Sequence, residues 1–184
     1  IGDPLRLEGY LFPDTYTFYV SDTPSRVITK LLNNFKRKWT EEMDEEADAL
    51  GLTQREVLTV ASMIEKEAGD DSERARIASV IYNRLRDGGA GTNCYLQIDA
   101  TYYYAAQVEG VEPSVSIDSP YNTYQNTGLP IGPITNPGLA SIKAALSPEE
   151  TGYYYYALGK EGVHSFFTNR DDFSRFVNSD EYGG

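Results

Sequence analysis

Cysteine and histidine are almost absent from this sequence. Cys94 is the only cysteine and His164 the only histidine, which excludes an internal disulfide and the zinc motifs that need two histidines. Cys94 stands beside Tyr95 with no base residue next to it, so a cysteine nucleophile is a poor hypothesis. Metal and redox chemistry are therefore not the functions this sequence favours.

Positive charge and long apolar segments are also scarce. The 184 residues carry 16 basic and 28 acidic side chains, a net charge of −12, which argues against a nucleic-acid partner. No apolar run approaches the roughly 20 residues that a bilayer-spanning helix needs, and no signal-like segment opens the chain. The length and the 40% hydrophobic content predict a single domain over residues 1–184. Because the first residue is Ile1 rather than Met, we expect a fragment of a longer protein.

The segment Val57–Gly69, reading VLTVASMIEKEAG, places two carboxylates in an otherwise apolar helix. Thr53 and Glu56 form a capping-box pattern that predicts a helix start after Thr53. Helical spacing puts a single apolar stripe on this helix and leaves Glu65 and Glu67 on its two edges, where burial is partial. A carboxyl group held against apolar atoms acquires a raised pKa, which suits a general acid. The periodicity does not choose between the two.

The remaining pattern predicts a helix-rich α+β fold. Residues 9–20 suggest a short hairpin or edge strand, and apolar spacing predicts a long helix from about Asp22 towards Leu50 with an interruption. Further helices are expected after Asp70–Ser72, at the Tyr102–Tyr104 run and after Asn136–Gly138, and a hairpin and a closing helix complete the chain. The hairpin strands are predicted over 153–158 and 164–168, and the closing helix over 171–177.

Residues 113–138 form a long segment rich in proline and glycine, and such a loop inside a compact domain is usually functional. Its planar and short polar side chains, Tyr121, Asn122, Thr123 and Tyr124, suit a sugar-binding surface, although tyrosines also serve as ordinary core residues. Upstream, Gln97 and Asp99 are further candidates for the cleft, and Asp99 fits a helix cap equally well.

Several phrases in the chain resemble the YceG-like family of bacterial endolytic murein transglycosylases. They follow the family's order across nearly the whole sequence and are LEGYLFPDTY at 7–16, ASMIEKE at 61–67, ERARIASVIYNRL at 73–85, LQID at 96–99, SPYNTYQNTGLPIGPITNPG at 119–138 and HSFFTN at 164–169. The segment 88–94 is longer than in the common pattern, and Ala100 stands where the family often has proline.

The resemblance implies cleavage of peptidoglycan glycan strands between N-acetylmuramic acid and N-acetylglucosamine, which leaves a 1,6-anhydro-muramyl end. It implies that Glu65, the first glutamate of the E-K-E phrase, is catalytic, and that no metal and no cofactor take part. Family members usually carry an N-terminal membrane helix and a LysM-like region, so we expect the parent protein to be anchored at the extracytoplasmic face of the membrane.

Other roles stay open for these residues. Glu65 could instead form a structural ion pair with an arginine that follows Asp70, and Glu67 is expected to support a neighbour rather than react. Asn136 is a further candidate for substrate binding, and the remaining supporting candidates are Arg84, His164 and Asn169. A lone histidine in a hairpin is more often structural.

Two other functions compete with the enzyme. One is a non-catalytic peptidoglycan-binding scaffold that recruits cell-wall synthesis proteins. The other is a pyridoxal-phosphate lyase, which needs a Schiff-base lysine and a phosphate cradle that the sequence does not show.

Overall fold

The computed structural model describes residues 5–183, and it confirms a helix-rich α+β fold with one small antiparallel sheet. Among these residues, no helix is long and apolar enough to cross a membrane. The elements in chain order are α1 Pro24–Lys38, α2 Glu41–Ala49, α3 Gln54–Glu67, α4 Arg74–Asp87, a 3₁₀ turn at Gly89–Gly91, α5 Asp99–Glu109, α6 Leu139–Leu146, β1 Tyr155–Leu158, β2 His164–Phe167 and α7 Arg170–Val177.

Helix α3 is the centre of the fold. Its capping box forms as predicted, with the Thr53 side chain accepting from the Glu56 amide and the Glu56 carboxylate accepting from the Thr53 amide. The prediction of a single apolar stripe is wrong, because every residue of 57–64 is buried. Helices α2, α4, α5 and α6 all pack against α3, so only its first and last turns reach the surface.

The hairpin and the closing helix lie where the sequence predicted them. Strands β1 and β2 pair antiparallel, with Tyr155 opposite Phe167 and Leu158 opposite His164. The first helical segment is interrupted as expected, since α1 ends at Lys38 and α2 begins at Glu41. The region between α5 and α6 contains no helix or strand, which confirms the long loop.

The predicted hairpin or edge strand over residues 9–20 does not form. The chain turns through residues 5–10 and then runs on without a strand partner. Its backbone amides bond a side chain instead, since Gly9 N and Leu11 N both donate to Asn136 Oδ1 at 2.9 Å. Gly9 has a φ of +88° and lies against Pro133 so closely that a Cβ would collide with that ring.

Two predicted helix starts are also corrected. Helix α4 begins after Glu73, which makes no side-chain cap, while Asp70 bonds Ser72 within the preceding turn. Helix α5 begins at Asp99 with Ile98 as its N-cap residue, earlier than the tyrosine run and with Asp99 inside the helix. The Asp99 carboxylate is therefore not the cap and is left for other partners.

Candidate active site

Glu65 is held by three donors at the end of α3. Its Oε2 accepts from Ser141 Oγ at 2.6 Å, from Gly138 N at 3.2 Å and from Arg74 Nη1 at 3.3 Å. Gly138 is the N-cap residue of α6 and has no side chain to cap that helix. The Glu65 carboxylate, which lies on α3, therefore caps the N-terminus of α6. These contacts include the structural ion pair considered as the alternative for Glu65.

Glu67, half a turn further along, has a different environment. Its Oε2 accepts one hydrogen bond, from the hydroxyl of Tyr156 at 3.0 Å. Burial raises the pKa of Glu67 above its ordinary value, and the negative charge of Asp99 acts in the same direction, while the Tyr156 hydrogen bond opposes them. The net pKa is raised, so Glu67 is the glutamate of this pair that can hold a proton for transfer.

A cavity of about 480 Å³ opens beside Glu67, between the hairpin, α5 and α7. The size is in the range of small-molecule and sugar sites. Its lining is mostly polar and aromatic and includes Glu67, Arg84, Gln97, Asp99, Tyr124, Tyr155, Tyr156, His164, Arg170, Phe173 and Tyr182.

A second concavity of about 550 Å³ borders the same two carboxylates. Glu67 and Asp99 line both spaces, so the two spaces meet at this pair of residues, and together they are called the groove. Glu65 lines neither of them. The second space is bounded further by Glu8, Lys66, Ala100, Tyr103, Tyr104, Gln107, Ile134 and Thr135.

Arg84 and Asp99 form the polar wall of the first cavity. The Arg84 guanidinium is buried, donates from Nε to Tyr154 O at 2.7 Å and from Nη1 to Leu96 O, and lies 5.4 Å from the centre of the Tyr155 ring. Asp99 Oδ1 accepts from the Tyr124 hydroxyl at 2.5 Å. Arg84 therefore places a fixed positive charge in a cleft that holds two carboxylates, which limits their mutual repulsion.

Gln97 and Tyr124 are the predicted substrate-binding residues that reach the cavity together with Asp99. Gln97 is exposed and has a φ of +48°, an uncommon conformation for a residue with a side chain. Its backbone is held there by a hydrogen bond from Gln97 N to Thr123 O at 3.2 Å. Such strain is often found at functional sites, where the surrounding structure enforces it.

The other three candidates of the loop are buried away from the cleft. Asn122 is fully buried and donates to Val115 O and Ile117 O, at 3.0 and 2.8 Å. Thr123 is 1% exposed, and its hydroxyl accepts from Ile98 N at 3.1 Å. Tyr121 packs edge to face on Tyr104. These three side chains stabilise the loop through internal contacts, and a substrate cannot reach them.

Asn136 and Asn169 also serve the backbone. Asn136 binds the N-terminal segment through Gly9 and Leu11, and its Nδ2 donates to Glu8 Oε1 at 3.2 Å. Asn169 is the N-cap of α7, where Oδ1 accepts from Asp172 N at 2.9 Å. Neither side chain lines the two spaces beside Glu67.

Sequence reasoning missed Tyr156 and Glu73. Tyr156 lies in the YYYY run, where alternation along a strand does not show which ring reaches a carboxylate 89 residues away. Glu73 is 2% exposed and binds His164, a pairing between distant segments that local spacing cannot show. Within residues 5–183, no three carboxylate, histidine or cysteine side chains lie close enough together to hold a metal ion.

The fold therefore places a carboxyl group of raised pKa, Glu67, at the C-terminal end of a buried helix, beside a polar and aromatic groove. The profile of the YceG-like family matches residues 3–179. The chain belongs to the YceG-like family, as its sequence phrases indicated.

Named relatives and a solved structure agree with that assignment. The chain is 42% identical to an endolytic murein transglycosylase of Bacillus subtilis strain 168, over 88% of the chain and 44% of that protein. It is 34% identical to an endolytic murein transglycosylase of Streptococcus pneumoniae strain D39, over 96% of the chain and 32% of that protein. The chain thus spans less than half the length of these relatives.

The crystal structure of a YceG-like protein from Listeria monocytogenes has the same fold. It superposes with a TM-score of 0.79 and 38% sequence identity, over 92% of this chain and 55% of that one.

Proposed function

We propose that this chain is the catalytic part of a lytic transglycosylase that cleaves peptidoglycan glycan strands, with Glu67 as its general acid. The observation that carries the proposal is the raised pKa of Glu67 at the point where the two halves of the groove meet. The names of the relatives, endolytic murein transglycosylases, supply the substrate class.

The reaction needs one carboxylate. The protonated Glu67 donates to the glycosidic oxygen between N-acetylmuramic acid and N-acetylglucosamine, and the bond to C1 breaks. The C6 hydroxyl of the same muramic acid attacks C1 and gives its proton to the Glu67 carboxylate, which restores the acid. The products are a 1,6-anhydro-muramyl end and a free N-acetylglucosamine hydroxyl, so no water is consumed.

Nearby residues support this cycle in ways that their contacts suggest. The Tyr156 hydroxyl donates to Glu67 and stabilises the carboxylate that forms after proton donation. Arg84 lies close enough to stabilise the same negative charge. Gln97, Asp99 and Tyr124 present polar groups and an aromatic ring to the sugar rings.

The role implied for Glu65 by the family resemblance stays a prediction, and the geometry favours Glu67 in its place. Glu65 accepts from an arginine, a serine and a backbone amide, and it lines neither of the two spaces that meet at Glu67. We therefore assign Glu65 to the packing of α3 against α6 and α4.

The open groove favours cutting inside a glycan strand, because a strand can continue on both sides of Glu67. We further propose that the full-length protein acts at the extracytoplasmic face of the cytoplasmic membrane, held there by an N-terminal anchor. Association with cell-wall synthesis proteins is part of the same proposal and rests on the family resemblance alone.

The test is mass spectrometry of purified sacculi after incubation with the wild type or Glu67→Gln, together with sedimentation of protein bound to the sacculi. We expect anhydro-muropeptides from the wild type only, with both proteins bound. Products that have gained water would show a hydrolase instead. Binding without any cleaved product from the wild type would support the non-catalytic scaffold.

A further inference from the structure

The single histidine of the chain is paired with a buried carboxylate next to the groove. Glu73 is 2% exposed, its Oε2 lies 2.9 Å from His164 Nδ1 and its Oε1 accepts from His164 N at 2.5 Å. Gly69 N also donates to Glu73 Oε2, at 3.3 Å. Glu73 therefore connects β2 to the chain directly after Glu67.

The pair defines which ring nitrogen carries the proton. Burial would raise the pKa of Glu73, but the hydrogen bonds from the His164 side chain and backbone outweigh it, so the net pKa is lowered. A charged carboxylate can only accept hydrogen bonds, and His164 Nδ1 must then be the donor. In the neutral ring, this leaves Nε2 as an acceptor.

His164 lines the cavity beside Glu67, whereas Glu73 does not. Because Nδ1 lies 2.9 Å from Glu73 Oε2, we infer that the opposite edge of the ring, which carries Nε2, is the one that faces the cavity. The ring packs edge to face on Tyr156, with centroids 5.4 Å apart and planes at 84°, and Tyr156 is the residue that donates to Glu67. Within residues 5–183, Nε2 has no hydrogen-bond partner.

We propose that His164 is a substrate-binding residue, held by Glu73 in the Nδ1–H form so that Nε2 accepts a hydrogen bond from a sugar hydroxyl beside Glu67. The identity of the sugar rests on the proposed function. In functional histidines, a hydrogen bond from one ring nitrogen to a carboxylate commonly fixes the tautomer and orients the other nitrogen. Glu73 makes this bond with Nδ1 of His164. A purely structural histidine would need no open edge in the groove.

Two amide substitutions separate binding from structure. In His164→Asn the side-chain amide can replace Nδ1 and still donate to Glu73, but it has nothing in the place of Nε2. In His164→Gln the amide reaches towards the place of Nε2 and leaves the buried Glu73 without its partner. We expect His164→Asn to melt close to the wild type and His164→Gln to melt clearly lower.

Activity on glycan strands should rank the two variants in the opposite order. For His164→Asn we expect kcat/KM to fall about five- to tenfold, mainly through KM, the size expected from one neutral hydrogen bond. His164→Gln should retain more of the wild-type kcat/KM per folded molecule. Wild-type kinetics in His164→Asn would overturn the proposal.

Nuclear magnetic resonance gives a readout that needs no histidine variant. Since the chain has one histidine, ¹⁵N-histidine labelling gives one pair of ring signals, and at a pH where the ring is neutral we expect the Nδ1–H tautomer. Adding purified glycan strands to labelled Glu67→Gln should shift the Nε2 signal. The Nε2–H tautomer, or an unchanged signal while the strands bind, would overturn the proposal even if the variants fail to fold.

These outcomes are separable from a failure of the proposed function. If the wild type releases no anhydro product, the proposed function fails. If it does release the product, Glu67→Gln does not, and His164→Asn has wild-type kinetics, only the role of His164 fails.

Discussion

Removal of the Glu65 carboxylate should damage stability and leave the chemistry largely intact. In Glu65→Ala the three donors Ser141 Oγ, Gly138 N and Arg74 Nη1 lose their shared acceptor at the contact of α3 with α6. Arg74 and Ser141 keep each other as partners, since Nη1 lies 2.5 Å from Oγ. The loss therefore falls mainly on the Gly138 amide and on the ion pair.

The magnitude follows from these two contacts. The ion pair has side-chain exposures of 31% for Glu65 and 15% for Arg74, so solvent screening limits it to about 1 kcal/mol. Losing the cap of α6 costs about 0.5–2 kcal/mol. The free energy of unfolding should thus fall by roughly 1.5–3 kcal/mol, and for a domain of this size Tm should fall by about 3–12 °C.

Thermal unfolding at pH 7 measures the effect, and Glu65→Gln is the matched control. The amide keeps an acceptor for Gly138 and Ser141 and loses only the charge, so its Tm should fall by about half as much. Both variants should keep most of the wild-type turnover at a temperature well below their transitions. Unchanged Tm values, or well-folded variants of Glu65 that release no product, would refute this reasoning.

Three further predictions concern Glu67, Tyr156 and the loop. Glu67→Gln should raise Tm at pH 7. The pKa of Glu67 in the folded state is raised, while in the unfolded state it has the ordinary value of a glutamate, about 4.3. The wild type therefore loses stability as the pH rises from that value through the folded-state pKa. The difference between the two proteins should shrink as the pH falls below that range, and a lower Tm of Glu67→Gln at pH 7 would contradict it. Tyr156→Phe removes a hydrogen bond that lowers the pKa of Glu67, so the pKa of Glu67 should rise further. The fall of activity with increasing pH should then occur at higher pH than in the wild type, and a shift to lower pH would count against the assignment. Asn122→Ala leaves Ile117 O without its side-chain donor and Tyr124 N without its acceptor, while Val115 O keeps a donor in the Gln125 side chain. The unfolding free energy, measured by urea denaturation, should fall by roughly 1–3 kcal/mol. An unchanged midpoint would show that the loop does not depend on this amide.

Local signals in the sequence predicted most of the elements. The capping box at Thr53, the interrupted first helix and the terminal hairpin all depend on contacts between near neighbours, and such signals can be read from spacing. The prediction of a hairpin or edge strand over residues 9–20 was wrong. The alternation of bulky and polar residues does not reveal that amides of this segment donate to the side chain of Asn136, far along the chain. An amide that bonds a distant side chain leaves no local pattern.

The site was less predictable than the fold. Helical periodicity predicted Glu65 and Glu67 at the two edges of one apolar stripe and could not rank them. It carries no information on the hydrogen-bond partners that distant segments of the chain supply. Arg74 and α6 donate hydrogen bonds to Glu65, whereas the hairpin donates to Glu67 and burial raises the pKa of Glu67. The polar residues Asn122 and Thr123 look like ligand contacts in sequence because a buried loop and a binding loop need the same side chains.

The most direct test of the assignment compares turnover of sacculi by Glu67→Gln and Glu65→Gln, each normalised to its folded fraction. Release of anhydro-muropeptides, followed by mass spectrometry, should fall at least about a hundredfold in Glu67→Gln, the size expected for loss of a general acid, and stay within about twofold of the wild type in Glu65→Gln. Near-wild-type release by Glu67→Gln together with loss of product in Glu65→Gln would contradict the account and return the catalytic role to Glu65.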